Sequence, residues 1–123
     1  MIDHINLPVS NLVQATRFYA DALAPLGYGV LRETETFSGV GPKEGTNKWI
    51  GTLWLGKETI FSKMHVAFRA PTQVAVDRFY EEAIKAGGRG NGAPGIRARY
   101  HDRYYAAFIL DLDGHNIEVV CHQ

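Results

Sequence analysis

Three side chains of this sequence have types that suit a divalent metal ion: His4, His65 and Glu118. Two imidazole nitrogens and one carboxylate, with coordination positions left open, form a facial set that suits Fe, Mn, Ni or Zn. The open positions admit water or a substrate oxygen, so the metal can act as a Lewis acid. The alternative for each histidine is a partly buried ring hydrogen-bonded within a sheet. The alternative for Glu118 is the solvent face of an edge strand, because an unpaired buried charge is costly.

An internal repeat relates the two histidines. When the sequence is shifted by 61 residues, His4 coincides with His65, and seven of the 24 positions from 4 to 27 are identical, where chance gives about one or two. The longest matching run is Arg-Phe-Tyr, at 17–19 and 78–80. Such a repeat is too long and occurs too few times for a solenoid, so it indicates a duplicated supersecondary unit. We expect one domain, 1–123, made of pseudo-repeats at about 1–60 and 61–123.

Each copy shows the same order of elements, a strand, a helix and then three strands. Apolar residues spaced by three and four predict helices that begin at Ser10 or Asn11 and at Thr72, and that end at Gly27 and at Gly87-Gly88. The predicted strands are 2–8, 28–34, 37–40 and 49–55 in the first copy, and 64–69, 89–93, 104–111 and 115–122 in the second. We therefore predict an α+β fold of two tandem βαβββ units. They would form an open, cup-like mixed β-barrel with helices outside and a pocket between the units.

Composition excludes several classes of partner. The 13 basic and 13 acidic residues balance, and no basic stripe is present, so neither nucleic acid nor an anionic membrane is expected as a partner. No apolar run approaches the length of a membrane span, and the first residues lack the features of a signal peptide. The single cysteine, Cys121, cannot form an intrachain disulfide. A cytoplasmic location is therefore expected.

Three segments carry a resemblance to a known family. They are Ile-Asp-His-Ile around His4, Met-His-Val-Ala-Phe around His65, and Asp-Leu-Asp-Gly-His-Asn-Ile-Glu ending at Glu118. Together they resemble the metal-binding strands of the vicinal oxygen chelate superfamily (the glyoxalase/bleomycin resistance protein/dioxygenase family), over essentially the whole chain. The resemblance implies a single-barrel member with His4, His65 and Glu118 as metal ligands, Glu118 as a catalytic group, and a homodimer.

The sequence departs from the glyoxalase I pattern in the first unit. Glyoxalase I has a fourth ligand, a carboxylate, at the place that matches Glu118, but this neighbourhood reads Thr-Leu-Trp-Leu-Gly at 52–56, and Glu58 comes only after the glycine. The common extradiol dioxygenases have two such barrels per chain, and this chain supplies one. The three-ligand pattern is nearer to that of the fosfomycin-modifying enzymes.

Other side chains are candidates for the pocket. Arg103 would meet an anionic substrate group and Tyr105 would donate a hydrogen bond, although their segment also reads as a basic surface loop. Trp54 would form an apolar pocket wall or belong to the core. His122 falls on the face of Glu118 by strand alternation. It would contact substrate, act as a substitute ligand or as an acid/base group, or belong to a frayed terminus. We expect Cys121 to pack in the core and His115 to be solvated in a turn.

The preferred functional hypothesis is a metal-dependent lyase, isomerase or transferase that binds a small oxygenated substrate through a divalent ion (Zn, Mn, Fe or Ni). The alternative is a metal-free protein of the bleomycin-resistance type, which binds a drug or metabolite in a cup lined by Trp and Tyr. A third hypothesis is a vestigial scaffold whose pocket is filled by Trp54 and Tyr105.

Overall fold

The computed structural model describes residues 2–44 and 52–123. The first unit contains β1 (Ile5–Val9), α1 (Leu12–Ala22), a short 3-10 helix (Ala24–Leu26), β2 (Tyr28–Glu33), β3 (Phe37–Pro42) and β4 (Leu53–Lys57). The second unit contains β5 (His65–Arg69), α2 (Gln73–Lys85), β6 (Arg89–Ile96), β7 (Tyr105–Leu110) and β8 (Asn116–Cys121). The predicted order of elements is confirmed. Part of the predicted strand at 49–55, including Trp49, lies outside the described residues.

The strands of each unit form their own four-stranded mixed sheet. The strand orders are β1-β4-β3-β2 and β5-β8-β7-β6, so both sheets have the same topology. In each sheet the first strand of the unit pairs parallel to the last strand, and the remaining neighbours are antiparallel. Neither sheet closes on itself, which confirms the predicted open α+β fold of two βαβββ units.

Local sequence explains where the helices begin and end. The side chain of Asn11 accepts a hydrogen bond from the backbone N–H of Gln14 at 3.0 Å, and Thr72 accepts one from Ala75 at 3.2 Å. These side chains satisfy backbone donors of each first turn that have no partner within the helix. Gly27 ends the 3-10 helix with a φ of 78°, in the left-handed region that glycine adopts at little cost. In the predicted turn between β7 and β8, Gly114 has a φ of 86°.

The core lies between the sheets and the helices. Helices α1 and α2 contact each other, and each also packs on strands of its own sheet. Strand alternation sends one set of side chains into this core, as with Ile117, Val119 and Cys121 of β8. The intervening positions of β8 face the other side of the sheet, which the helices do not cover. Among residues 2–44 and 52–123, no helix has the length and apolar character needed to cross a bilayer.

His115 departs from its prediction. The sequence placed it in a solvated turn, but its side chain is fully buried. One ring nitrogen, Nδ1, accepts from the Met64 N–H at 3.0 Å, and Nε2 donates to the carbonyl of Pro8 at 2.8 Å. The prediction was wrong because the turn between β7 and β8 folds against the end of β1. This ring therefore connects the two units.

Gly88, between α2 and β6, lies in close contact with α2, α1 and β7. A Cβ atom at this position would lie 2.9 Å from the carbonyl oxygen of Ala83, 3.0 Å from the Phe18 ring and 3.2 Å from the carbonyl oxygen of Leu110. Two of these neighbours are backbone atoms and cannot rotate away. We expect Gly88→Ala to lower the free energy of unfolding by about 1–3 kcal/mol, measured by urea denaturation. Gly56→Ala is the matched control, because a Cβ there meets nothing within 4 Å, and a comparable loss in both variants would contradict this explanation.

Candidate metal-binding site

The parallel pair β5 and β8 brings His65 and Glu118 together. Glu118 lies opposite Ala67, so His65, two residues earlier, shares its face of the sheet. The His65 Nε2 atom lies 3.2 Å from Glu118 Oε2. The Glu118 side chain is 4% exposed, whereas that of His65 is 51% exposed. A nearly buried carboxylate therefore faces a half-exposed imidazole.

The backbone orients the His65 ring. Its Nδ1 lies 3.1 Å from the carbonyl oxygen of Asn116. Because a carbonyl only accepts hydrogen bonds, Nδ1 must carry the proton in this contact. In the neutral ring the lone pair of Nε2 then points at the carboxylate of Glu118. Two such acceptors stabilise each other only with a proton or a cation between them.

Tyr104 is the second partner of Glu118. Its hydroxyl donates to Oε1 at 2.5 Å. Burial, followed by this hydrogen bond, raises the pKa of Tyr104 to about 12, so the hydroxyl remains a donor through the physiological range.

The residue predicted to donate a hydrogen bond in the pocket was the neighbouring Tyr105, whose hydroxyl instead donates to Asp77 of α2 at 2.6 Å. That bond raises the pKa of Tyr105. Strand alternation could have indicated Tyr104, since Phe108 lies opposite Glu118 and the even-numbered residues of β7 share its face.

His4 lies apart from His65 and Glu118. It lines a pocket of about 470 Å³ in the first unit, together with Trp54 and Glu58. Its Nδ1 lies 2.7 Å from a carboxylate oxygen of Asp3, and within residues 2–44 and 52–123 its Nε2 makes no hydrogen bond. Among the described residues, no three His, Cys, Asp or Glu side chains are close enough to hold one metal ion. Within one chain the structure brings together two of the three predicted ligands, and not His4.

Trp54 occupies the position in the first unit that Glu118 occupies in the second. Asn6 pairs with Trp54 in β1 and β4, and Ala67 pairs with Glu118 in β5 and β8. Asn6 and Ala67 are themselves separated by the repeat distance of 61 residues. An indole thus stands at the place that matches the carboxylate, and the Trp54 ring makes an edge contact with Phe37 at 5.9 Å.

The remaining candidates lie around the loop between β6 and β7. His122 contacts His101, with Nδ1 and Nε2 2.9 Å apart, and both rings pack against Tyr104. The backbone N–H of Arg103 donates to His101 Nδ1 at 3.1 Å, and the Arg103 side chain is exposed. The arginines that line the pocket of His65 and Glu118 are instead Arg97 and Arg99.

The sequence of this chain matches a known protein family. Residues 1–119 match the family model described as the Glyoxalase/Bleomycin resistance protein/Dioxygenase superfamily. No match was found among curated proteins.

Several solved structures share the fold. A glyoxalase/bleomycin resistance protein from Albidiferax ferrireducens T118 has a TM-score of 0.79 at 21% identity, covering 98% of this chain and 97% of that chain. A glyoxalase/bleomycin resistance protein/dioxygenase family enzyme from Burkholderia phytofirmans PsJN has a TM-score of 0.74 at 20% identity, covering 99% of this chain and 98% of that chain. The E144Q mutant of glyoxalase I from Zea mays has a TM-score of 0.70 at 19% identity, covering 97% of this chain and 46% of that chain.

Proposed function

The chain belongs to the Glyoxalase/Bleomycin resistance protein/Dioxygenase superfamily, and from this premise we propose that it is a metal-dependent enzyme acting on a small oxygenated substrate. The reaction would be of the lyase, isomerase or transferase type. The proposed metal ligands are His4, His65 and Glu118, and the ion would be Zn, Mn, Fe or Ni.

The observation that carries this proposal is the contact between His65 and Glu118. Their facing atoms are 3.2 Å apart, and adjacent ligands of a metal with bonds of about 2.1 Å are separated by roughly 3 Å. The Asn116 carbonyl behind His65 and the Tyr104 hydroxyl behind Glu118 are outer partners of the kind that orient metal ligands. The donor set therefore fits a divalent ion.

We further propose that the third ligand, His4, comes from a second copy of the chain. His4 and His65 line separate pockets in different units of one chain. In both rings Nδ1 lies close to an oxygen atom, that of Asp3 for His4 and that of Asn116 for His65, so Nε2 would be the nitrogen that binds a metal ion. A two-fold symmetric homodimer that faces the first unit of one copy with the second unit of the other would complete two identical sites. The small-molecule substrate would bind between these units.

The chain's own residues have separable roles in such a site. A bound divalent ion would supply Lewis-acid polarisation of substrate oxygens. Glu118 would hold the ion and neutralise part of its charge, and Tyr104 keeps the carboxylate in one orientation through its hydroxyl proton. Trp54 and Phe37 would exclude water from the side that carries His4.

Metal binding by the untagged protein tests the proposal. We expect near-stoichiometric binding of at least one of Mn, Fe, Ni and Zn in calorimetric titrations, weakened at least about 10-fold by His65→Ala. His101→Ala is the control, since the exposed His101–His122 pair could bind metal independently of the site. No binding by the wild type, or equal binding by the wild type and His65→Ala, would contradict the proposal.

Mixing two variants that each lack one proposed ligand tests whether the metal site is shared between two copies of the chain. If each site takes His4 from one copy and His65 from the other, a dimer of one His4→Ala chain and one His65→Ala chain has one intact and one doubly altered site. After equimolar subunit exchange, about a quarter of the wild-type metal sites should return. If all three ligands come from one chain, mixing restores none.

A metal-free binding protein is the second candidate. It is favoured by the pocket of about 470 Å³ around His4, whose walls include Phe37, Trp54 and Leu55. Retention of an aromatic ligand by protein stripped of metal would support this candidate.

We also propose a cytoplasmic location, because the single thiol, Cys121, is free and buried.

A further inference from the structure

We propose that the site selects small organic acids, whose carboxylate or phosphonate group binds Arg97, with Arg99 beside it. This inference rests on the proposed function in assigning the neighbouring His65 and Glu118 to the same substrate. The anion-binding step itself requires no metal.

Arg97 and Arg99 line the same pocket as His65 and Glu118, a cavity of about 450 Å³. The pocket also contains the side-chain amides of Asn91 and Asn116, which contact each other at 3.2 Å. Among the described residues, no carboxylate lies within ion-pair distance of either arginine, whereas Glu118 pairs with His65. Within the described residues the two guanidinium groups therefore make no ion pair, and the carboxylate that shares their pocket, Glu118, contacts His65 and Tyr104 instead.

Arg97 is fixed in place. One of its terminal nitrogens donates to the carbonyl of Ala93 at 2.7 Å, and its guanidinium lies over the Phe108 ring at 5.4 Å from the centroid. The same Phe108 ring stacks with His65 at 6.3 Å. Phe108 thus links the guanidinium to a proposed metal ligand, and a small substrate could contact both.

The glycine-rich segment of β6 makes room for this side chain. A Cβ atom at Gly92 would lie 3.2 Å from one terminal nitrogen of Arg97, and a Cβ at Gly95 would lie 3.2 Å from the other. Both distances are tighter than ordinary contacts, so side chains at 92 and 95 would press on the guanidinium. The glycines at 92 and 95 therefore leave space for the Arg97 guanidinium.

Arg99 supplies a second, more exposed cation. Its guanidinium stacks on Tyr100 at 4.7 Å from the ring centroid, and a terminal nitrogen donates to the Tyr100 hydroxyl at 2.7 Å. A guanidinium with free N–H groups binds the two oxygens of a carboxylate or phosphonate in a planar fork, which a neutral amide cannot replace. A neutral substrate would leave the charge of both arginines without a partner.

Titration of metal-free protein with three matched probes tests the inference. The probes are lactate, 1-hydroxyethylphosphonate and the neutral lactamide, and binding is followed by the NMR shifts of residues 91–99. We expect at least one anion to bind roughly 10-fold or more tightly than lactamide. Arg97→Gln should abolish this preference and Arg97→Lys should retain part of it. Tighter binding of lactate would indicate a carboxylate substrate, and tighter binding of 1-hydroxyethylphosphonate would indicate a phosphonate substrate.

Arg89→Gln is the matched control. It removes the same charge from the same strand, β6, at a residue outside the pocket, and it should leave the preference intact. The inference is overturned if neither anion binds more tightly than lactamide, or if Arg89→Gln and Arg97→Gln have the same effect. A preserved anion preference in a protein that binds no metal would instead refute the proposed function and leave the anion site standing.

Discussion

Glu118→Gln is expected to weaken metal binding by at least about 100-fold, the largest functional effect of any single substitution in this chain. The change keeps the size of the side chain and removes its charge. The side chain of Glu118 is 4% exposed, so water cannot readily take the place of the carboxylate. Calorimetric titration with the metal that binds the wild type most tightly gives the measurement.

Tyr104→Phe is the control for Glu118→Gln. It removes the hydroxyl that donates to Oε1 but leaves the carboxylate, so its expected loss is the smaller one, roughly 10-fold. The two effects in the reverse order would show that Tyr104 and not Glu118 holds the ion. Because the pKa of Tyr104 is raised to about 12, the contribution of its hydroxyl should not change between pH 6 and pH 9.

Asp111→Ala is expected to lower the free energy of unfolding by about 3–5 kcal/mol, the largest effect on stability. The Asp111 carboxylate is 6% exposed. It accepts hydrogen bonds from the hydroxyl of Tyr19, from the N–H of Asp113 at 3.0 Å and from the N–H of His115 at 2.8 Å. Burial and the neighbouring Asp111 charge hold the pKa of Tyr19 well above its usual value. Without the carboxylate, two buried donors and one partly buried donor lose their acceptor.

Urea denaturation measures the free energy of unfolding of Asp111→Ala, and Asp113→Ala is its control. Asp113 accepts from the N–H and hydroxyl of Ser10 in an exposed setting, so its loss should cost only about 0.5–1.5 kcal/mol. A cost below 1 kcal/mol for Asp111→Ala would show that water replaces the carboxylate. If Asp111→Ala does not fold, Tyr19→Phe measures one of the three contacts separately.

The repeat and the two apolar periodicities were enough to predict the fold. The Arg-Phe-Tyr match at 17–19 and 78–80 falls on α1 and α2, and each cap residue follows from a short polar side chain ahead of an amphipathic run. These signals are local in sequence and depend on which face of a helix or strand is buried. These signals can therefore be interpreted without any knowledge of tertiary contacts.

The candidate site was only partly predictable, because tertiary contacts decide the rest. Alternation places His65 and Glu118 on one face once the register of β5 and β8 is known, but the sequence does not give that register. The choice between Tyr104 and Tyr105 required the same information. The burial of His115 depends on the carbonyl of Pro8, which is far away in sequence. The position of Arg97 depends on Phe108 and on the glycines of β6, and that of Arg99 depends on Tyr100; no motif indicated either.

The correspondence between Trp54 and Glu118 has a consequence for how such a duplicated chain can evolve. Both residues lie on the sheet face that the helices leave uncovered, whereas their strand neighbours, Leu53 and Leu55 in one copy and Ile117 and Val119 in the other, form the core. A substitution at 54 or 118 therefore falls outside the core that these neighbouring side chains form. The two halves of a duplicated gene can therefore carry different side chains at one register position, an indole in one half and a carboxylate in the other, and natural selection can act on each half separately.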